Sequence, residues 1–122
     1  GTNNIGNVGI SPATPHNLNS AATTNATSVK ATAASLYSLM ASNTGASIRS
    51  LKPYNKASAP TVGTDIPVLT LPIPAGSFIN PPLGAMGVRF ATGLAYAITG
   101  AAADADTTAV AAGEVKVKLD YV

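Results

Sequence analysis

The sequence predicts an all-β fold: a single antiparallel β-sandwich or a jelly-roll-like small barrel, with an extended N-terminal arm. Three observations carry this. Short apolar runs with a period of two recur along the chain, and turn residues separate them, 11 glycines and 9 prolines among 122 residues. No segment keeps the 3.6-residue period of a strong amphipathic helix.

Residues 1–27 read as the arm and residues 28–122 as the sandwich domain. The arm is rich in Asn, Thr, Ala, Ser and Gly and has no charged side chain before Lys30. Ile5, Val8, Ile10 and Leu18 speckle it, and they are the candidate anchors by which it lies along a neighbouring subunit. Two strands follow, Ser35–Ala41 and Ala46–Tyr54, joined by a tight reversal at Ser42–Gly45 whose Asn and Gly suit positive φ. Leu69, Leu71 and Ile73 alternate with Val68, Thr70 and Pro72. The prolines at 67, 72 and 74 cannot donate to a ladder, so this run belongs at a sheet edge. Ile79–Leu83, with Asn80-Pro81-Pro82, is an extended connector, and Gly87–Thr92 a short strand. Leu94, Tyr96 and Ile98 alternate with Ala95, Ala97 and Thr99 as a half-buried strand. The alanine-dense stretch Ala101–Ala112 reads as a capped turn or a short helix. The last strand is the clearest: Val115, Val117, Leu119 and Tyr121 face a core, and Glu114, Lys116, Lys118 and Asp120 face water.

Composition narrows the function. Hydrophobic residues make up 46% of the chain, but 23 of them are alanine, and charged residues are only 10%. An ordinary soluble domain carries roughly 25% charge. A chain that lacks the usual charged coat is built to hide surface against other chains. The seven basic residues are scattered and the net charge is +2, so no basic patch nominates nucleic acid. No apolar run reaches the ~20 residues of a membrane-spanning helix, and no basic segment followed by an apolar one opens the chain. With no cysteine there is neither a disulfide nor a thiolate.

Catalysis finds no constellation. His16, the only histidine, sits beside Pro15 in the arm, and a catalytic base needs an orienting acid and a nucleophile beside it. Glu114 and Asp120 are explained by the wet face of the last strand, so no carboxylate pair is nominated. Asp104-Ala-Asp106, with two threonines after it, offers hard oxygens to calcium, or closes an Asx turn and caps the next residues of the chain. The glycines match no phosphate-binding pattern. Tyr37, Tyr54, Tyr96, Phe78 and Phe90 read as the large residues of the core. The expectation is therefore a non-enzyme without cofactor.

From about Val29 to the C-terminus the sequence resembles a domain of tailed-bacteriophage virion structural proteins. The resembling region is about three quarters of the chain, and the stretches within it that carry the resemblance are Ala33–Leu39 with Ser42-Asn43, Leu51–Leu69, Leu71–Gly76, Gly87–Gly100 and Ala103–Gly113. Its most specific part is Asn55-Lys-Ala-Ser-Ala-Pro-Thr-Val-Gly-Thr-Asp65. The resemblance implies a particle component with a β-sandwich. Joined to the low charge and the speckled arm, it leads to a capsid decoration (cement) protein on the outer surface of the virion head. Its partners would be the major capsid protein and copies of itself, as a homotrimer, with no nucleic acid and no membrane. The alternative is a tail or head-fibre module that binds host-surface glycan in a groove with exposed aromatics. Its candidate loops are Asn55–Asp65 and Asn80–Ala85.

Overall fold

The computed structural model describes residues 12–122. Three of the candidate anchors, Ile5, Val8 and Ile10, lie outside the described residues. The described chain is all-β, with nine strands: β1 Thr14–Asn19, β2 Thr27–Lys30, β3 Ala34–Asn43, β4 Arg49–Asn55, β5 Leu71–Ile73, β6 Ser77–Ile79, β7 Val88–Phe90, β8 Leu94–Thr99 and β9 Val115–Tyr121. They form two antiparallel sheets. One runs β1-β9-β3-β6, with β7 also paired to β3; the other runs β2-β8-β4-β5. The arrangement is a sandwich and is not closed into a barrel.

The core lies between the sheets. β9 supplies Val115, Val117 and Leu119, each at most 3% exposed, and keeps Lys116 and Lys118 outside, as its alternation requires. β3 contributes Leu36, Leu39 and Ala41, all buried. Residues three apart cannot share a face of a regular strand. The register against β9 shifts between Leu36 and Ser38, and this bulge at Tyr37 resets the alternation so that both leucines point inward. Opposite them, Leu51, Ile73, Leu94, Tyr96 and Ile98 complete the core from the second sheet.

β8 departs from the sequence reading. All six of its residues are buried, Ala95 and Ala97 included. It is an inner strand between β2 and β4, and its outer face is covered by the chain's own loops. The alanines are small enough for Tyr54 and Val62 to pack on them in a second cluster. The edge position expected for the proline-rich run holds: β5 pairs only with β4, over the three residues Leu71–Ile73.

One expectation about a turn is corrected, and another is decided between its alternatives. Ser42–Gly45 is not a hairpin turn, because β3 and β4 lie in different sheets and the segment crosses between them. Neither Asn43 nor Gly45 has positive φ. The crossing is organised by the buried Asn43 amide, which donates to Ser47 O and Ile73 O at 2.7 and 3.0 Å and accepts from Gly45 N at 2.9 Å. Ala101–Ala112 takes the capped-turn form of the two that the sequence allowed. Asp106 accepts from the Ala101 and Thr108 amides and from Thr108 Oγ1, so the loop closes on a carboxylate before a helix can start.

Of the segment read as an arm, Thr14–Asn19 pairs with β9 of its own chain over all six residues. Residues 20–25 then cross to the second sheet through a local network. Ser20 Oγ donates to Ala111 O and accepts from Val115 N, and the Asn25 side chain bridges Ala21 and Thr23, with Asn25 itself at φ 54°. Asn tolerates that left-handed conformation better than most residues.

Candidate functional site

The outer face of the five-stranded sheet carries exposed side chains from β1, β9, β3 and β6. Alternation positions its side chains. On β1, His16 and Leu18 turn inward and are half-buried, while Asn17 and Asn19 are exposed. On β9 the exposed residues are Lys116 and Lys118. Register then aligns them: Asn19 lies opposite Lys116, Lys116 opposite Ser42 of β3, and Ser42 opposite Phe78 of β6. An amide, an ammonium, a hydroxyl and an aromatic ring thus form one transverse row over four strands. At about 4.8 Å between strands the row spans about 14 Å. Beside it runs a second row, Asn17, Lys118 and Met40. The two rows line an open groove of about 720 Å³. Phe78 is 65% exposed and Met40 44%.

The charges here are unequal. Lys118 Nζ donates to both oxygens of Asp120 at 3.0 Å, and Asp120 also accepts from Ser38 Oγ. Those two donors, Ser38 first, hold the Asp120 carboxyl below the usual carboxylate range. Lys116 has no side-chain partner among the described residues, nor do Asn17, Asn19 and Ser42. The groove is therefore apolar at its floor, with one free cation and three uncommitted polar groups at its surface.

The second sheet's outer face holds chemistry that is already committed. Lys52 is completely buried and donates to Ala103 O at 2.6 Å, which pins the loop after β8 onto β4. Burial pushes the Lys52 ammonium down, against the pull of Asp106 and Asp104. Nearby Tyr54 has a buried hydroxyl without a hydrogen-bond partner, and burial raises its pKa.

The remaining sequence candidates fall in other places. Leu18 packs from β1 against the core of its own chain, opposite Val117. Asp106 is occupied by the loop amides described above, and among the described residues no group of three or more His, Asp or Glu could hold a metal ion. Among the described residues His16 makes no hydrogen bond or ion pair with a carboxylate. Its Nε2 lies 2.9 Å from the Tyr96 hydroxyl and its ring meets Tyr96 edge-on, which ties the edge of one sheet to the middle of the other. Burial lowers the His16 pKa and raises that of Tyr96 to about 12. Glu114 is not on the wet face of β9; it forms a bidentate pair with Arg49 at 2.7 and 3.2 Å and also accepts from the Ala111 amide.

The Asn55–Asp65 loop uses its polar groups internally. Asn55 accepts from the Thr92 and Gly93 amides, and Asp65 binds Lys56 and the Thr61 amide. Phe78 and Tyr37 are the aromatics that the sequence reading placed in the core and the structure exposes. For Phe78 the signal was its setting, a three-residue strand between Gly76 and the Pro81-Pro82 pair, too short to be an inner strand. Compared with family models, with curated proteins and with solved structures, the chain matches none of them.

Proposed function

We propose that this chain is a bacteriophage capsid decoration (cement) protein, which binds the outer head surface as a trimer and stabilises the shell by bridging capsomers. One observation carries the reading: the folded surface holds few free charges and many exposed apolar side chains. Of seven basic and five acidic residues, six are joined in the pairs Arg49–Glu114, Lys56–Asp65 and Lys118–Asp120. Lys52 is buried, and Asp106 is held by its loop. Only Lys30, Arg89, Asp104 and Lys116 are left without a side-chain partner among the described residues. Against these four stand eight exposed large hydrophobic residues, among them Ile66 at 72% and Met86 at 86%.

A lone soluble domain avoids this balance, because exposed apolar groups promote association and free charge opposes it. Covering such groups against a shell removes apolar area from water at about 25 cal/mol per Å². Many copies, each touching two capsomers, turn modest contacts into avidity against internal pressure. The resemblance to virion structural domains supports the same reading. The test is the copy number in purified virions, measured by quantitative mass spectrometry against the major capsid protein. Hundreds of copies, near the number of capsid subunits, are expected. A handful to a few dozen overturns the head assignment in favour of tail or fibres.

A further inference from the structure

We infer that the groove on the five-stranded sheet is a saccharide site, and that its ligand is an oligosaccharide carrying a carboxylate. This goes beyond shell binding and holds whether the chain sits on head or tail. The transverse row is the starting point. Asn19, Lys116, Ser42 and Phe78 lie side by side across four strands, at one level of the register. Inner strands β9 and β3 have their backbone groups paired on both sides. An extended peptide therefore cannot add to the sheet at β9 or β3, and a ligand over these two strands is met by side chains.

The side chains present are those that fit a sugar. Phe78 offers an exposed ring whose negative face suits the polarised C–H groups of a pyranose. The Asn19 and Asn17 amides each donate and accept, as hydroxyl groups do, and Ser42 adds a hydroxyl between them and the ring. None of these is committed elsewhere among the described residues. The row's length of about 14 Å matches a short oligosaccharide rather than a single ring.

Charge selects among sugars. Lys118 is neutralised by Asp120, whereas Lys116, at the centre of the row, has no counter-ion among the described residues. One uncompensated ammonium suits one carboxylate. A doubly charged phosphate is more often met by several cations or by the arginine fork. The carboxylate belongs over Lys116 and the apolar face of a neighbouring ring over Phe78.

The test uses the full chain. Calorimetry is run with an oligogalacturonate and with its methyl ester of the same length, which keeps the rings and removes the charge. A glycan array carrying neutral, carboxylated and phosphorylated saccharides runs beside it. The intact protein is expected to bind the acid roughly tenfold more tightly than the ester, the gain of one charge-assisted hydrogen bond, and less tightly as salt rises. Lys116→Gln should bring acid and ester to the same affinity. Phe78→Ala should weaken both by about tenfold or more. Both positions are exposed, so unchanged melting temperatures check the fold.

Equal binding of acid and ester by the intact protein overturns the inference. So does undiminished binding by Phe78→Ala, or retention of phosphorylated sugars alone. If no saccharide binds and Phe78→Ala lowers the mass measured by light scattering, the groove belongs to a second copy of the chain, and the inference also fails.

Discussion

Glu114 shows how much one side chain can hold in this molecule. Its carboxylate joins Arg49 on β4 to the start of β9 and also accepts the Ala111 amide, so it fastens the two sheets at one end. Hydrogen bonds to Arg49 hold its pKa below the usual range. A Cβ placed on Gly45 would collide with the Glu114 carboxylate. Gly45→Ala should therefore break the pair by displacement and Glu114→Gln by loss of charge, each costing about 1–3 kcal/mol in chemical denaturation. At the other end, His16 responds to acid. Unfolded, it takes a proton near its ordinary value of 6.5; folded, burial lowers that value. The unfolded chain thus binds more protons in this range, so stability is full above about pH 6.5 and is lost as pH falls below it. Denaturation midpoints for the intact protein and His16→Phe between pH 7 and pH 5 measure this. The variant should lose the slope. The carboxylates Asp65, Asp106, Glu114 and Asp120, all lowered, add their losses only at lower pH.

Individual strands differ in how plainly the sequence announces them. β9 is legible because three charged residues alternate with four apolar ones, and β5 because proline cannot serve an inner ladder. β3 hides its bulge: Leu36 and Leu39 both read as core, but nothing in their spacing says which residue is extra. Deleting Tyr37 should remove the bulge and leave Leu36 and Leu39 two residues apart, so that Ala34, Leu36 and Leu39 all stay inward in a regular strand and the melting temperature changes little. A drop of the size that losing a buried leucine costs, about 2–5 kcal/mol, would show that Tyr37 is not the extra residue. β8 reads as half-buried because alanine carries no polarity signal. Its outer face is a second core made by long-range loop contacts. Lys52 stands on that covered face, and sequence reasoning leaves it among the scattered surface charges. A buried charge replaced by an apolar residue of similar length often leaves stability unchanged or raises it. Lys52→Met should accordingly keep the melting temperature, while limited proteolysis cuts faster in the 101–108 loop that Lys52 pins through Ala103 O.

For the molecule as a whole, the boundary between arm and domain matters most. Sequence composition puts it near residue 27, because polar, uncharged residues with isolated apolar ones look alike in an arm and in an edge strand. Only the pairing distinguishes them: residues 14–19 lie along β9, and residues 20–25 carry Ser20 and Asn25, which hold the turn into β2. Two truncations therefore separate assembly from folding. Removing residues 1–11, which include Ile5, Val8 and Ile10, should leave the melting temperature unchanged and weaken attachment to shells, read as protein retained on virions stripped of the native copies and then reloaded. Removing residues 1–26 takes away β1 as well. It uncovers the β9 ladder, removes Asn19 from the four-residue row, takes away the His16 contact to Tyr96, and leaves a long unpaired edge that invites aggregation. That variant should melt much lower or fail to stay in solution. Shell binding undiminished by the shorter truncation would remove the anchors from the assembly mechanism. The exposed apolar groups of the folded domain would then have to carry it alone.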